Sequence, residues 1–225
     1  MNNSVGNTAR LLGAGLRALL VLTVICGVLY PLAVTGIAQA AFSDKANGSE
    51  IRDKSGQVVG SSLIGQTYNL PKQYPQDPQE AAEPDLKWFQ PRPSHGLGSN
   101  SANQQYSLIL SGATNKAGDN PDLVKLVEDA KAAVIADNST AMYKVEPSDV
   151  PADAVTSSGS GLDPNISPEY AKIQVHRVAE QNSLDVQQVE KLVATYTTGR
   201  TLGFMGEPRV NVLELNTALE ALTKS

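Results

Sequence analysis

Cysteine is almost absent: Cys26 is the only one among 225 residues. A single thiol cannot close an internal disulfide, so neither a disulfide scaffold nor a thiolate metal cluster is available. Histidine is nearly as scarce, with only His95 and His176. Together with a cysteine inside an apolar run, they match no zinc-ligand spacing. Aromatic residues make up 5% of the chain and charged residues 18%, which allows a core of modest size. Blocks of Lys and Arg are missing and the net charge is −5. That balance excludes nucleic acid as a partner, because phosphate binding takes a concentrated basic face. Neither an internal repeat nor a G-x-x-x-x-G-K-[ST] phosphate loop occurs.

Charge is missing altogether from Ala18 to Ser43, a run of 26 residues reading ALLVLTVICGVLYPLAVTGIAQAAFS. As a helix it would reach about 39 Å at ~1.5 Å per residue. A hydrocarbon core of ~30 Å needs roughly 20 residues. Arg10 and Arg17 precede the run and Asp44 follows it. The positive-inside tendency then predicts a cytoplasmic N-terminus over 1–17, a transmembrane helix over 18–43 and an extracytoplasmic domain over 44–225. A cleaved signal peptide ending at Ala38-Gln39-Ala40 is the competing reading, but its apolar stretch would be only about 7–15 residues long. Either way the remainder crosses the membrane. That remainder is acidic: all 23 acidic residues but only 16 of the 18 basic ones lie beyond the run, a balance of −7. Pro31 is expected to kink the span, which membranes tolerate. Ala33, Gly36 and Ala40, spaced by three and four, are expected to pack the helix against a neighbour.

Beyond the span, short β-branched runs in IRDKSGQVVGSSLIGQTYNL predict one or two strands with tight turns. The next stretch, from Pro71 to Gly96, carries six prolines and reads as loop or extended chain, pinned by Trp88 and Phe89. Four helices follow. Asn120 caps the first, with Pro121 at its first position and Leu123, Val127, Ala130 and Val134 on one face. Ser167 and Pro168 open the second, which turns Ala171, Val175, Val178 and Ala179 inward. Asp185 and Gln188 form a capping box for the third, faced by Val186, Val189, Val193 and Tyr196. Asn211 with Glu214 opens the last, lined by Val212, Leu215, Leu219 and Leu222. Residues 113–147 read as a surface excursion, and Lys144–Val145 and Ala154–Thr156 as extended segments. The predicted fold is therefore α+β: one N-terminal transmembrane helix, then a single extracytoplasmic domain with a few short strands and about four helices.

Two loops are dense in the residue types that build active sites. In VTSSGSGLDPNISPEY, Ser160 stands near His176, Asp153 and Asp163 in sequence, so a Ser-His-Asp arrangement can be drawn. The G-x-S-x-G elbow is broken by Ser158, and His176 sits inside a helical pattern where a structural histidine is the simpler reading. In TTGRTLGFMGEPRV, Gly199, Gly203 and Gly206 point to positive φ angles, while Arg200 and Arg209 suit a carboxylate partner such as Asp163 or Glu207. The residues assign no catalytic, cofactor-binding or metal-ligating role. A rigid cluster presented to another protein is the preferred reading.

Several blocks in order resemble the KdpC family, the C subunits of Kdp-type potassium-transporting P-type ATPases. They are YPLAVTGIAQAAF and ANGS at the membrane exit, GSSLIGQ at Gly60–Gln66 and WFQPRPS at Trp88–Ser94. VTSSGSGLDPNISP, RVAEQNSL and TTGRTLGFMGEPRVNVLELNTAL complete the set. One departure is Asn165, where the family usually carries His. The resemblance implies a single-pass, non-catalytic subunit of a high-affinity potassium uptake pump in a bacterial or archaeal cell membrane. Its partners would be a potassium-translocating subunit, the phosphorylated P-type ATPase subunit, a small single-span subunit and membrane lipid. The family's role is assembly and catalytic chaperoning, raising ATP affinity in the ATPase subunit; no cofactor is assigned to this chain, and ATP is reached through that partner. Gly159, Ser160, Gly161, Asp163, Arg200, Gly203, Glu207 and Arg209 are then expected to form one docking surface. The alternative is a membrane-anchored extracytoplasmic Ser/His hydrolase or binding domain.

Overall fold

The computed structural model describes residues 3–74, 82–93 and 111–223. His95 and Ser94, with the parts of the proline-rich and following segments in 75–81 and 94–110, lie outside the described residues. The chain divides into two units, Met1–Glu50 and Ile51–Ser225.

The first unit is helical. Helix α1 (Asn3–Val24) runs through a single π-turn at Ile25–Leu29 into α2 (Tyr30–Ala41), and one further turn, α3, covers Ser43–Ala46. Nothing between Ser4 and Ala18 breaks the helix, so it begins well before the uncharged run and carries both Arg10 and Arg17. Ser4–Ala41 spans 38 residues and is long and apolar enough to cross a membrane. The expected effect of Pro31 takes a specific form. Proline has no N–H to donate and its ring crowds the carbonyl four residues back. The helix widens just ahead of it, with the Tyr30 N–H donating to Ile25 O, five residues earlier, in place of the i−4 bond. Phe42 leaves helical space at φ −143°, which ends the span.

The second unit is α+β. Strands β1 (Glu50–Arg52) and β2 (Val58–Ser61) form a two-stranded sheet. Asp53 Oδ1 accepts from the Ser55 and Gln57 N–H groups between them, and Gly56 takes φ 82°. Helix α4 (Pro121–Asn138) starts where expected, with the Asn120 side chain accepting from the N–H groups of Asp122 and Leu123. A single-turn helix α5 (Ala152–Val155) precedes β3 (Asn165–Ile166). Helix α6 (Pro168–Asn182) is capped by Ser167, and α7 (Val186–Thr195) by the full Asp185–Gln188 box. Strands β4 (Thr197–Thr198) and β5 (Arg209–Asn211) lead into α8 (Val212–Thr223), where Asn211 Oδ1 accepts from the Glu214 N–H.

β5 is the centre of a three-stranded sheet, antiparallel to β3 on one side and β4 on the other. Asn165 faces Asn211 and Ile166 faces Val210; Thr197 faces Val210 and Thr198 faces Arg209. The core lies between this sheet and helices α6, α7 and α8. Ala171, Val175, Val178 and Ala179 of α6 are buried against Val189 and Val193 of α7 and Leu215 and Leu219 of α8. Phe89 and Val210 complete it.

Three expectations are corrected. Ala154–Thr156 is extended only at its end: Ala154 and Val155 belong to a helical turn that follows Pro151, and Thr156 leaves it at φ −123° and ψ 137° while its hydroxyl donates to Ala152 O. Residues 113–147 are not wholly a surface excursion. The second half of α4 enters the core through Val134 and Asn138, and Val145 is buried beyond it. Leu222, expected on the inner face of α8, is exposed in the last turn of the helix.

Candidate functional site

The polar framework starts from a segment with no secondary structure of its own. Residues 86–93 include Pro91 and Pro93, which have no N–H to give and cannot pair as a central strand, so the neighbouring backbone groups need side-chain partners. The α8 residue Asn216 brackets Phe89, accepting its N–H at Oδ1 and donating Nδ2 to its carbonyl, both at 2.9 Å. Gln174 of α6 does the same for Gln90, at 2.6 and 3.1 Å. Arg177 donates to the carbonyls of Leu86 and Trp88, to Asn138 Oδ1 at 2.8 Å and to Gln174 Oε1 at 2.7 Å. Burial pulls this guanidinium down to about 10, opposed by Tyr170, Asp137 and Asp85, so it stays charged at neutral pH. Burial likewise pushes the Tyr170 hydroxyl up and raises the Asp137 carboxyl, the latter against the pull of Arg177.

From this anchored segment Arg92 reaches the first of the two loops. Its Nη1 contacts Asp163 Oδ2 at 3.2 Å, and its Nε and Nη2 donate to the carbonyls of Thr156 and Ser157 at 3.4 Å. Asp163 is therefore held by Arg92, not by Arg200 or Arg209. The reason is topological, since the segment after Phe89 runs directly beneath residues 156–163. Asn165 adds two bonds to the same carboxylate, from its backbone N–H at 2.9 Å and its Nδ2 at 3.0 Å. Ser158 Oγ accepts from the Asp163 N–H, and the Ser160 carbonyl accepts from Gly112 N and Ser111 Oγ. Gly161 takes φ 69°, in the region that favours glycine. Gly65 donates its N–H to Leu162 O and lies so close that a Cβ there would stand 2.8 Å from Asp163 O. The GSSLIGQ and GLDP blocks are thus packed backbone on backbone.

The second loop is the hairpin between β4 and β5. Thr201 and Met205 exchange backbone hydrogen bonds at 2.9 and 3.0 Å, and Arg200 Nη2 meets Glu207 Oε2 at 2.7 Å, as one of the two expected pairings required. Gly203 and Gly206 adopt φ 82° and 77°. The two loops meet at an open cleft of about 520 Å³, where Asp163, Glu207 and Arg209 line the wall together with Arg92, Asp153 and Asn165. Gly159, Ser160 and Gly161 belong to the first loop but do not line this cleft, and Arg200 and Gly203 project beyond it along the hairpin.

The Ser-His-Asp arrangement is taken apart by the fold. Ser160 Oγ accepts from the Leu162 N–H and lies 3.3 Å from Ser158 Oγ. His176 stacks on Tyr143, with ring centroids 4.1 Å apart and planes 8° from parallel. Asp153 is occupied at the start of α6, accepting from Ser167 N at 2.7 Å and Ser167 Oγ at 2.8 Å. Each residue has a different neighbour, so no proton relay connects them. Among the described residues no group of three His, Cys, Asp or Glu side chains is placed to hold a metal. The carboxylates of the cleft are engaged in holding loops, and what the arrangement does chemically is position backbone.

Sequence reasoning missed Gln174, Arg177, Asn138 and Asn216, the buried polar residues. A signal was present. Gln174 falls three residues after Ala171, and Asn216 four residues after Val212, both on the apolar stripes of their helices. A polar residue on such a stripe marks a buried acceptor or donor with work to do.

Ala33, Gly36 and Ala40 lie on α2 and are exposed within the chain, with open space where a Gly36 Cβ would stand.

Residues 12–221 match the family model described as KdpC: K+-transporting ATPase, c chain. A Streptomyces avermitilis protein named "Potassium-transporting ATPase KdpC subunit" is 74% identical over 222 residues, covering 99% of this chain and 98% of that protein. One of the same name from Streptomyces coelicolor is 64% identical over 222 residues, covering 99% and 97%. A Kineococcus radiotolerans protein of that name is 44% identical over 221 residues, covering 98% of each. Match to the family model along nearly the whole chain, together with these identities, places the chain in the KdpC family of potassium-transporting ATPase subunits.

Proposed function

We propose that the chain is a non-catalytic accessory subunit that assembles and stabilises an ATP-driven potassium uptake pump and raises the nucleotide affinity of its ATPase subunit. The observation that carries this reading is the family match over residues 12–221. The loop geometry supports it, because the cleft carboxylates Asp153, Asp163 and Glu207 are occupied with internal bracing and, among the described residues, none is paired with a nucleophile. In this reading Gly159–Asp163 and Gly199–Arg209 dock on the potassium-translocating subunit, while the ATPase subunit and a small single-span subunit complete the complex.

Orientation decides how nucleotide affinity is raised. With Arg10 and Arg17 before the apolar run and Asp44 after it, the positive-inside tendency puts residues 44–225 outside the cytoplasm. ATP is cytoplasmic, so the effect is indirect: the subunit favours the conformation of its membrane partners that binds nucleotide better. Couplings of this kind are typically about 1–3 kcal/mol.

Two measurements test the proposal. Affinity capture of the full chain from detergent should bring the two large membrane partners with it, and deleting the chain should abolish potassium-stimulated ATPase activity with the ATPase subunit still present. Retained activity without this chain would sink the accessory role. For the orientation, a cysteine engineered at Met142, a side chain 95% exposed and outside both docking loops, should react with a membrane-impermeant thiol reagent in sealed cells. Protection there would reverse the topology and bring direct nucleotide contact back into consideration.

A further inference from the structure

The hairpin between β4 and β5 holds apolar side chains out in water. Leu202, Phe204 and Met205 are 77%, 72% and 46% exposed, although burial of such side chains is the main favourable term in folding. The tip is nevertheless built rather than slack. Besides the paired Thr201–Met205 bonds, Gly203 N donates to Arg200 O at 3.1 Å and Phe204 N to Thr201 O at 3.3 Å. The Arg200–Glu207 ion pair closes the base at 2.7 Å. Leu202, though not a glycine, takes φ 55°, and a backbone held in that region by its surroundings marks a functional constraint more often than chance. The result is a pre-ordered knob, which loses little freedom when it enters a complementary recess.

The chemistry of the occupant follows from charge, size and tethering. A loop that rests on lipid headgroups is flanked by free basic residues. Of the two arginines beside the tip, Arg200 is neutralised by Glu207, which leaves Arg209 as a single basic group, and the chain beyond the span is acidic, at −7. A second copy of the chain is also a poor fit, since a stable interface buries about 1,200–2,000 Å² and three side chains supply far less. A small contact becomes effective when another attachment already holds the partners together. The chain has that attachment in Ser4–Ala41, an apolar helix whose most apolar window has no part buried within the chain.

We propose that the Leu202–Met205 tip is a hydrophobic knob that seats in an apolar recess on a membrane-embedded partner subunit, acting as the second attachment point after the spanning helix. This rests on reading the chain as an accessory subunit, and it names the part of the Gly199–Arg209 loop that makes the contact.

The test uses the assembled complex in its native membrane. A photoreactive benzoylphenylalanine introduced in place of Phe204 should, on irradiation, form an adduct with a membrane-embedded partner subunit. An adduct with lipid, with a second copy of this chain, or no adduct from a complex that purifies intact overturns the proposal. Phe204→Ser and Leu202→Ser should each weaken retention of the chain in the complex by about tenfold, whereas Met142→Ser, at a side chain 95% exposed elsewhere in the second unit, should leave it unchanged. Because the tip residues are outside the core, circular dichroism and the unfolding midpoint should match wild type. If the wild-type chain itself fails to retain membrane partners, the accessory reading fails and this proposal with it. If wild type and both serine variants are retained equally, only the knob is refuted.

Discussion

The side-chain amide of Asn216 closes both backbone hydrogen bonds of Phe89, at 2.9 Å each, although 127 residues separate them in the chain. A strand partner would do the same for an extended residue. Here a helix side chain substitutes for the strand, because Pro91 and Pro93 follow Phe89 closely and have no N–H to give a ladder. Phe89 is thereby placed at 0% exposure in the core.

Breaking this bracket should be costly. Asn216→Ala leaves a buried N–H and a buried C=O unsatisfied, and a loss on the order of 3 kcal/mol is expected. Asn216→Leu, which keeps the volume, should lose a similar amount, separating lost hydrogen bonds from a cavity. Chemical denaturation of the full chain in detergent measures both. A leucine variant as stable as wild type would show that packing alone holds Phe89.

Arg177 serves four acceptors on three segments. Its replacement by Met strands those acceptors, with an expected cost of about 3–5 kcal/mol, as for breaking other buried charged networks. Arg177→Lys should recover less than half, because one ammonium cannot span the positions of a planar guanidinium fork. The urea midpoints of the two variants decide between fork geometry and charge alone.

Asp137 gives a pH signature. Burial holds its carboxyl above the ordinary 3.8, with Arg177 opposing. The folded state therefore keeps this proton longer than the unfolded state does, and the associated stability is complete in acid and lost as pH rises through the folded value. Asp137→Asn should gain on wild type progressively as pH climbs from about 3.8 toward neutrality. Unfolding midpoints across that range test it; a constant difference at every pH would reject the assignment.

At Gly65 the constraint is steric. A methyl group there meets Asp163 O at 2.8 Å, and its neighbour is backbone that cannot swing away. Gly65→Ala should cost about 1–3 kcal/mol and loosen the Ser160 loop, seen as faster amide exchange at Leu162 and Asp163. Exchange unchanged at both would mean that the 61–65 turn shifts without penalty.

On the span, Gly36→Leu should reduce capture of partner subunits while leaving the chain in the membrane fraction, as expected where small residues let helices approach closely. Undiminished capture would mean that this face meets lipid.

Much of the local structure was legible before any coordinates. The caps at Asn120, Ser167 and Asp185 and the stripe Ala171–Val175–Val178–Ala179 depend on neighbours three or four residues away, which a sequence displays directly. The helical turn at Ala152–Val155, where Ala154 and Val155 were expected to be extended, was not legible because an element of four residues leaves no periodicity to see.

Of the loop cluster, the Arg200–Glu207 pair was within reach, since seven residues of hairpin separate its members. The Arg92–Asp163 pair was not, because its members are 71 positions apart in the chain. By itself the sequence determined the apolar span, the helices with their caps and the family, because each is written in short-range pattern or in matching blocks. Only the tertiary structure decided which polar side chains hold the proline-rich segment, which arginine holds Asp163, and that Leu202, Phe204 and Met205 stay outside the chain's own core. Those outcomes depend on which distant segments meet when the core closes, and no local pattern encodes that meeting.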